Sequence, residues 1–178
     1  MTKILVTGGG GYVGSVLCRH LLDQGYEVKC ADNFNKGQCD GIIPLAINPN
    51  FEFIYADVTV AKQMNEVVKG CDAIIHLAAI VGFPNCAAQP ALAEIVNVEG
   101  TMNVINARNL YSKNIPLVYA STGSVYGKVQ GTCTEESPLS AVSQYGVNKR
   151  VAEGMVSSEE NAVSFRFATG FGVSPSMR

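Results

Sequence analysis

The stretch Thr7–Ser15 reads TGGGGYVGS, and its four consecutive glycines admit two registers. Gly9, Gly11 and Gly14 spell G-x-G-x-x-G; Gly8, Gly11 and Gly14, preceded by Thr7, spell T-G-x-x-G-x-x-G. Either way the glycines follow a short apolar run, KILVT, and lead into residues spaced as a helix, with Val13, Val16, Leu17 and Leu21 assigned to one face. A strand, a glycine turn and a helix N-terminus together form a phosphate cradle. Absent Cβ atoms let the backbone approach a pyrophosphate, and the first helical N–H groups carry partial positive charge. Gly8, Gly11, Tyr12, Val13 and Gly14 are therefore candidate cofactor-binding positions, with Gly9 and Gly10 as variable, merely flexible members.

Outward from this turn, apolar runs alternate with helical patterns. Runs at 3–7, 27–31, 51–56, 72–77, 117–121 and 163–168 read as buried parallel strands covered on both faces. Helical periodicity occupies the segment ending near Gly25, then 61–68, about 90–111 with an interruption at Gly100, and about 143–158. Segments 33–50 and 122–142 read as long loops. The alternation predicts an α/β fold with a doubly wound parallel sheet, Rossmann-like, because parallel strands need crossovers.

A chain of 178 residues with 47% hydrophobic and 16% charged residues suits one buried domain. A net charge of −2 without a basic cluster gives no reason to expect nucleic acid or an anionic membrane as partner. No segment reads as a signal peptide or approaches the roughly 20 apolar residues of a membrane span, and a cytoplasmic location is expected. The six cysteines are scattered without metal-ligand spacing, so they read as small buried hydrophobes in a reducing compartment, and no metal is expected.

At the end of the second run stands Asp32, followed by Asn33. Its carboxylate can accept hydrogen bonds from the adenosine ribose and would repel a 2′-phosphate, which favours NAD over NADP; Lys36 nearby leaves NADP open. Tyr145 and Lys149 are spaced to share one helix face. A lysine ammonium, helped by a positive nicotinamide ring, favours the phenolate and makes the tyrosine a usable base. The preceding strand ends in STGSVYG, whose hydroxyls can bind a substrate oxygen.

Taken in order, T-G-x-x-G-x-x-G, Asp32-Asn33, A-D-V at 56–58, HLAA at 76–79, NVEGT at 97–101, STGSVYG and Y-x-x-x-K resemble the extended short-chain dehydrogenase/reductase family of nucleotide-sugar epimerases and dehydratases. The resemblance covers essentially the whole chain and selects the Gly8 register. It implies that Thr122 assists Tyr145, and that Lys149 also holds the nicotinamide ribose. It further implies that Asp57 and Val58 lie by the adenine, that Leu77, Ala78 and Ala79 line the cofactor, and that Asn97 lies near it. His76 is structural in this pattern. Tyr145 would take a sugar hydroxyl proton as hydride passes to the nicotinamide of NAD. A homodimer through the two long helices is expected.

Two departures qualify the resemblance. Thr169 and Phe171 stand where the family's R-x-x-N-x-Y-G carries Asn and Tyr, which weakens assignment as a standard UDP-galactose epimerase. The family also continues beyond the point where this sequence stops. The chain therefore reads as an NAD-binding Rossmann domain over 1–178, with the substrate domain missing or truncated and apolar surface left uncovered. Gly123 and Ser124 occupy places where a dehydratase commonly carries Asp-Glu, which tilts the reading toward an epimerase or a simple reductase. The alternatives are a 4,6-dehydratase and an NAD-binding module without turnover.

Overall fold

Each apolar run becomes a strand. The computed structural model describes residues 1–176, with β1 (Lys3–Thr7), β2 (Glu27–Asp32), β3 (Phe51–Tyr55), β4 (Ala73–His76), β5 (Leu117–Thr122) and β6 (Ala162–Phe167). They pair in parallel as one sheet of order β3-β2-β1-β4-β5-β6. Strand order reverses between β1 and β4, so the loops leaving those two strands diverge and open a crevice at their carboxyl ends.

The connections are α1 (Tyr12–Asp23), α2 (Ala61–Val68), α3 (Phe83–Ala88), α4 (Pro90–Glu94), α5 (Gly100–Tyr111) and α6 (Gln144–Ser157), with 3-10 turns at Ile43–Leu45 and Gly123–Val125. Alternation along the strands divides the core into two layers. Leu5, Ala31, Ile74 and Tyr119 pack with Met64, Val67, Val104 and Val156 on the side of α2, α5 and α6. Ile4, Val6, Val28 and Cys30 pack with Cys18, Leu21, Leu22 and Leu45 on the side of α1. Each large aliphatic side chain so buried contributes about 1.5–3 kcal/mol.

Several expectations need correction. On α1 the buried stripe is Gly14, Ser15, Cys18, Leu21 and Leu22. Val13 and Val16 are 57% and 45% exposed, because the small residues Gly14 and Ser15 take the inward positions against the glycine turn. Gly100 does not interrupt its helix: its backbone is helical, and a Cβ there would sit 2.7 Å from Val58 Cγ2. The irregularity comes just before it, as a π-helical turn at Ile95–Glu99 carrying Asn97. Between β4 and α4, where no helix was expected, α3 begins after Gly82, whose φ of 84° turns the chain.

The edge strands depart from full coverage. β3 is largely exposed, and on β6 burial alternates, with Val163, Phe165 and Phe167 about half exposed while Ser164 and Arg166 turn inward. Among the described residues, no helix covers that outer face of β6.

Candidate active site

The glycine turn is shaped by close approach at nearly every position. Gly8 has φ +71°, donates its N–H to Ala31 O at 2.8 Å, and has the Ala78 nitrogen 2.6 Å from where a Cβ would stand. A Cβ on Gly14 would overlap Gly8 O. Gly9 and Gly10, read as merely flexible, are equally confined. A Cβ on Gly9 would overlap Cys30 Sγ and come within 3.2 Å of Cys18 Sγ; one on Gly10 would lie 2.8 Å from the Phe34 ring and 3.2 Å from Asp32 Oδ2. All four consecutive glycines thus meet a neighbour, with Gly11 the least crowded at 3.3 Å from Gly8 O. Gly11 caps α1 without a side-chain partner, and the first intrahelical bond is Ser15 N–H to Gly11 O. The N–H groups of Tyr12, Val13 and Gly14 therefore have no intrahelical acceptor, and these residues line a cleft.

Asp32 ends β2 with its carboxylate turned to the backbone. Oδ2 accepts the Gly10 N–H at 2.9 Å and Oδ1 the Phe34 N–H at 2.8 Å. Burial raises its pKa, opposed by those same bonds. Phe34, in the left-handed region at φ 50°, stacks on Phe53 with centroids 4.9 Å apart and closes over Gly10. Asn33 donates to Asp57 Oδ2 at 2.9 Å. Burial pushes the Asp57 carboxyl upward, but the bonds from Thr59 and Asn33 outweigh it and hold it below the usual range. Asp32, Asn33, Asp57, Val58, Leu77, Ala78 and Ala79 all line the cleft with the glycine turn. Phe34, Asn35, Lys36 and Gln38 join them from the 33–50 segment; only Lys36 carried a signal in the sequence, its charge.

Asn97 lies behind the cleft wall rather than on it. Its Oδ1 accepts the Ile80 N–H at 2.8 Å and its Nδ2 donates to Ile80 O at 2.9 Å, so both ends of the amide hold the loop after β4. Any influence on a cofactor passes through Ile80. His76 is fully buried between Thr7 Oγ1 at 2.7 Å and Thr101 Oγ1 at 3.0 Å. Burial, with the Lys149 charge adding, lowers its pKa to about 3, which keeps the imidazole neutral and suits a structural post between β4 and α5.

The second cluster is set by the start of α6. Ser143 caps the helix by accepting the Gly146 N–H at 3.0 Å, and a Cβ on Gly146 would stand 2.7 Å from Ser124 O. The helix can therefore abut the turn after β5, which brings Tyr145 to Thr122. These two residues line a second pocket with Ser121, Ser124, Ser143, Phe167 and Thr169. Lys149, one turn along, is buried and places its ammonium 4.4 Å from the centroid of Tyr119. A further turn on, Glu153 accepts from Ser121 Oγ at 2.5 Å and from Arg166 Nε at 3.0 Å and Nη2 at 2.6 Å. Arg166 also reaches Tyr126 OH at 2.9 Å and Glu135 O at 3.1 Å. The sequence reading missed Glu153, although its spacing from Tyr145 and Lys149 was legible.

The electrostatics differ from the simple expectation that lysine pulls the tyrosine down. Burial raises the Tyr145 pKa, with its hydrogen bond to Thr122 acting in the opposite direction. Burial also lowers the Lys149 pKa to about 7. Burial thus disfavours the charged form of both groups.

Residues 4–176 match the NAD dependent epimerase/dehydratase family across its length in this chain. The chain belongs to that family. Among curated members of this epimerase/dehydratase family, it is 35% identical over 160 residues to UDP-glucose 4-epimerase 3 of Oryza sativa subsp. japonica, covering 85% of this chain and 43% of the relative. It is 29% identical to CDP-paratose 2-epimerase of Salmonella typhi, covering 96% and 58%. Among solved structures, a UDP-glucuronic acid 4-epimerase from Bacillus cereus in complex with UDP-glucuronic acid and NAD is 30% identical with a TM-score of 0.81, covering 93% of this chain and 56% of that one. A dTDP-glucose 4,6-dehydratase from Streptomyces venezuelae with NAD bound is 28% identical with a TM-score of 0.80, covering 88% and 51%. The chain spans about half the length of these relatives. The family's cofactor is NAD, and the glycine cradle, the three unpaired amides and the Asp32 carboxylate fit a dinucleotide. Among the described residues, no helix is long and apolar enough to cross a membrane, and no group of His, Cys, Asp and Glu side chains is placed to hold a metal ion.

Proposed function

We propose that the protein is an NAD-dependent nucleotide-sugar epimerase, or a related sugar-nucleotide oxidoreductase, in which Tyr145 is the base, Thr122 shares the reacting oxygen and Lys149 stabilises the phenolate. The observation carrying this is the convergence of Thr122, Tyr145 and Thr169 on one pocket, with Lys149 buried one helical turn behind the tyrosine. In this reading Gly8, Gly11, Tyr12, Val13 and Gly14 hold the pyrophosphate, Asp32 and Asn33 the adenosine ribose, and Asp57 and Val58 the adenine side. Leu77, Ala78 and Ala79 form the opposite wall, and Asn97 supports that wall through Ile80. NAD, when bound, supplies the acceptor for the hydride leaving the sugar carbon and the positive ring that helps ionise Tyr145. Tyr145 accepts the hydroxyl proton of the same carbon, while Thr122 donates a hydrogen bond to its oxygen.

The turn after Thr122 supports epimerase over dehydratase chemistry. A dehydratase needs an acid and a base beside the carbon that loses water, and the adjacent positions here are Gly123 and Ser124. Homodimerisation is part of the proposal: Leu92, Ile95, Met102, Val147 and Val151 are exposed apolar side chains on α4 to α6, including the π turn, the face a second copy would cover.

The test is release and identification of the nucleotide carried by purified protein, followed by assay of wild type and Tyr145→Phe on UDP-, GDP-, CDP- and dTDP-sugars. NAD release, turnover of one sugar, and a loss of at least 10²-fold in Tyr145→Phe are expected. Bound NAD with no turnover by wild type would sink the enzyme reading and leave a cofactor-binding module.

A further inference from the structure

Beyond β6 the chain passes Thr169 at the second pocket and returns to the glycine turn, where it is fastened by side chains distant in sequence. Tyr12 OH donates to Gly172 O at 2.6 Å. Ser174 Oγ donates to Tyr12 O at 2.8 Å and lies 3.3 Å from Ser15 Oγ. Ser176 Oγ donates to Gly10 O at 2.9 Å, and Gln38 Nε2 donates to Ser176 O at 3.2 Å. Ser174 and Ser176 are only 5% and 2% exposed. The fit is close: a Cβ on Gly41 would stand 2.5 Å from Ser15 Cβ and 2.6 Å from Ser176 Oγ.

Both buried hydroxyls donate to carbonyls of the turn, and this has a directional effect. A peptide unit is planar, with its C=O and the next N–H pointing opposite ways. Ser176 holds the carbonyl of the unit joining Gly10 and Gly11, whose N–H is held by Gly8 O at 3.2 Å. Ser174 holds the carbonyl of the unit joining Tyr12 and Val13, and so orients the Val13 N–H, one of the three without an intrahelical acceptor.

We propose that Ser174 and Ser176 are positioning residues of the pyrophosphate-binding turn, and that the 172–176 segment is a strap that fixes the turn's peptide planes from behind. The proposal rests on the reading of this turn as the dinucleotide site. Because the strap starts beside Thr169, it also ties the pocket containing Tyr145 to the turn.

Calorimetric titration of the full chain with NAD, ADP and adenosine separates this role from general support of the fold. In Ser174→Ala/Ser176→Ala, NAD and ADP should each bind about 10-fold more weakly while adenosine binding is unchanged, since adenosine carries no phosphate for the turn. If the double variant melts far below wild type, the single variants and Tyr12→Phe carry the same comparison. Unchanged affinity for NAD and ADP, or a parallel loss for adenosine, would overturn the strap. A wild-type chain that binds neither NAD nor ADP would instead overturn the cofactor reading beneath it.

Discussion

Lys149 carries a stability cost that its proposed role explains. Burial lowers its folded pKa to about 7 from the ordinary lysine value of 10.5. The unfolded chain therefore holds a proton that the native state releases early, and the native state is penalised as pH falls from 10.5 toward 7 and in full below that. Replacing the ammonium with an apolar side chain of similar length removes the penalty. Lys149→Met should raise the unfolding midpoint at pH 7 by about 3 °C, the response to ~1 kcal/mol in a chain of this size, with the advantage shrinking toward pH 10.5; calorimetry at several pH values reads it. The same variant should lose turnover. The residues of this region were unevenly legible. Tyr145, Lys149, Asp32 and the glycines announced themselves by type and spacing. Asn97 did not, because an amide that holds a backbone loop and one that touches a ligand look the same in a sequence. The confinement of Gly9 and Gly10 was equally hidden, since it comes from Cys18, Cys30 and Phe34, which only the fold brings near.

Helix α6 aligns Tyr145, Lys149 and Glu153 along one side, and each meets β5: at Thr122, at the ring of Tyr119 and at Ser121. Glu153 and Arg166 set this register, since Arg166 lies opposite Ser121 in the β5–β6 pairing. The pair is largely buried, with side chains 8% and 20% exposed. Removing one partner leaves the other charge desolvated, so Glu153→Ala should destabilise the protein by about 3 kcal/mol, while Glu153→Met with Arg166→Met should recover most of that loss. Denaturant unfolding of the three proteins tests it. Element types were readable from periodicity, and α2 was read with the right face because Met64, Val67 and Val68 are both apolar and buried. For α1 the apolar stripe misled, since the space beneath the glycine turn admits Gly14 and Ser15 in place of valine. Helix α3 was illegible because a six-residue helix opened by glycine and proline shows no full period.

Across the whole molecule, although alternation leaves the strand order open, the doubly wound parallel sheet was legible from the alternation of runs and the handedness of crossovers. Coverage of the edges was not, because a run of apolar residues looks alike whether one face or both are packed. The proposed homodimer predicts a specific response: Val147→Glu with Val151→Glu should shift the mass measured by light scattering from twice the chain to one chain, with the unfolding midpoint in dilute solution little changed.

The outer side of β6 sets how the molecule fails when heated. Among the described residues, its edge leaves a row of main-chain groups without a strand partner, beside a surface bearing Val163, Phe165 and Phe167. Chains that open transiently can pair there faster than they close, so loss of structure should be irreversible, and the apparent midpoint should fall as the scan slows or the concentration rises. Phe165→Thr with Phe167→Thr should restore reversibility without altering the equilibrium midpoint by more than a few degrees. For this chain, the half-life at temperature is then a property of one strand's exposed side rather than of the core.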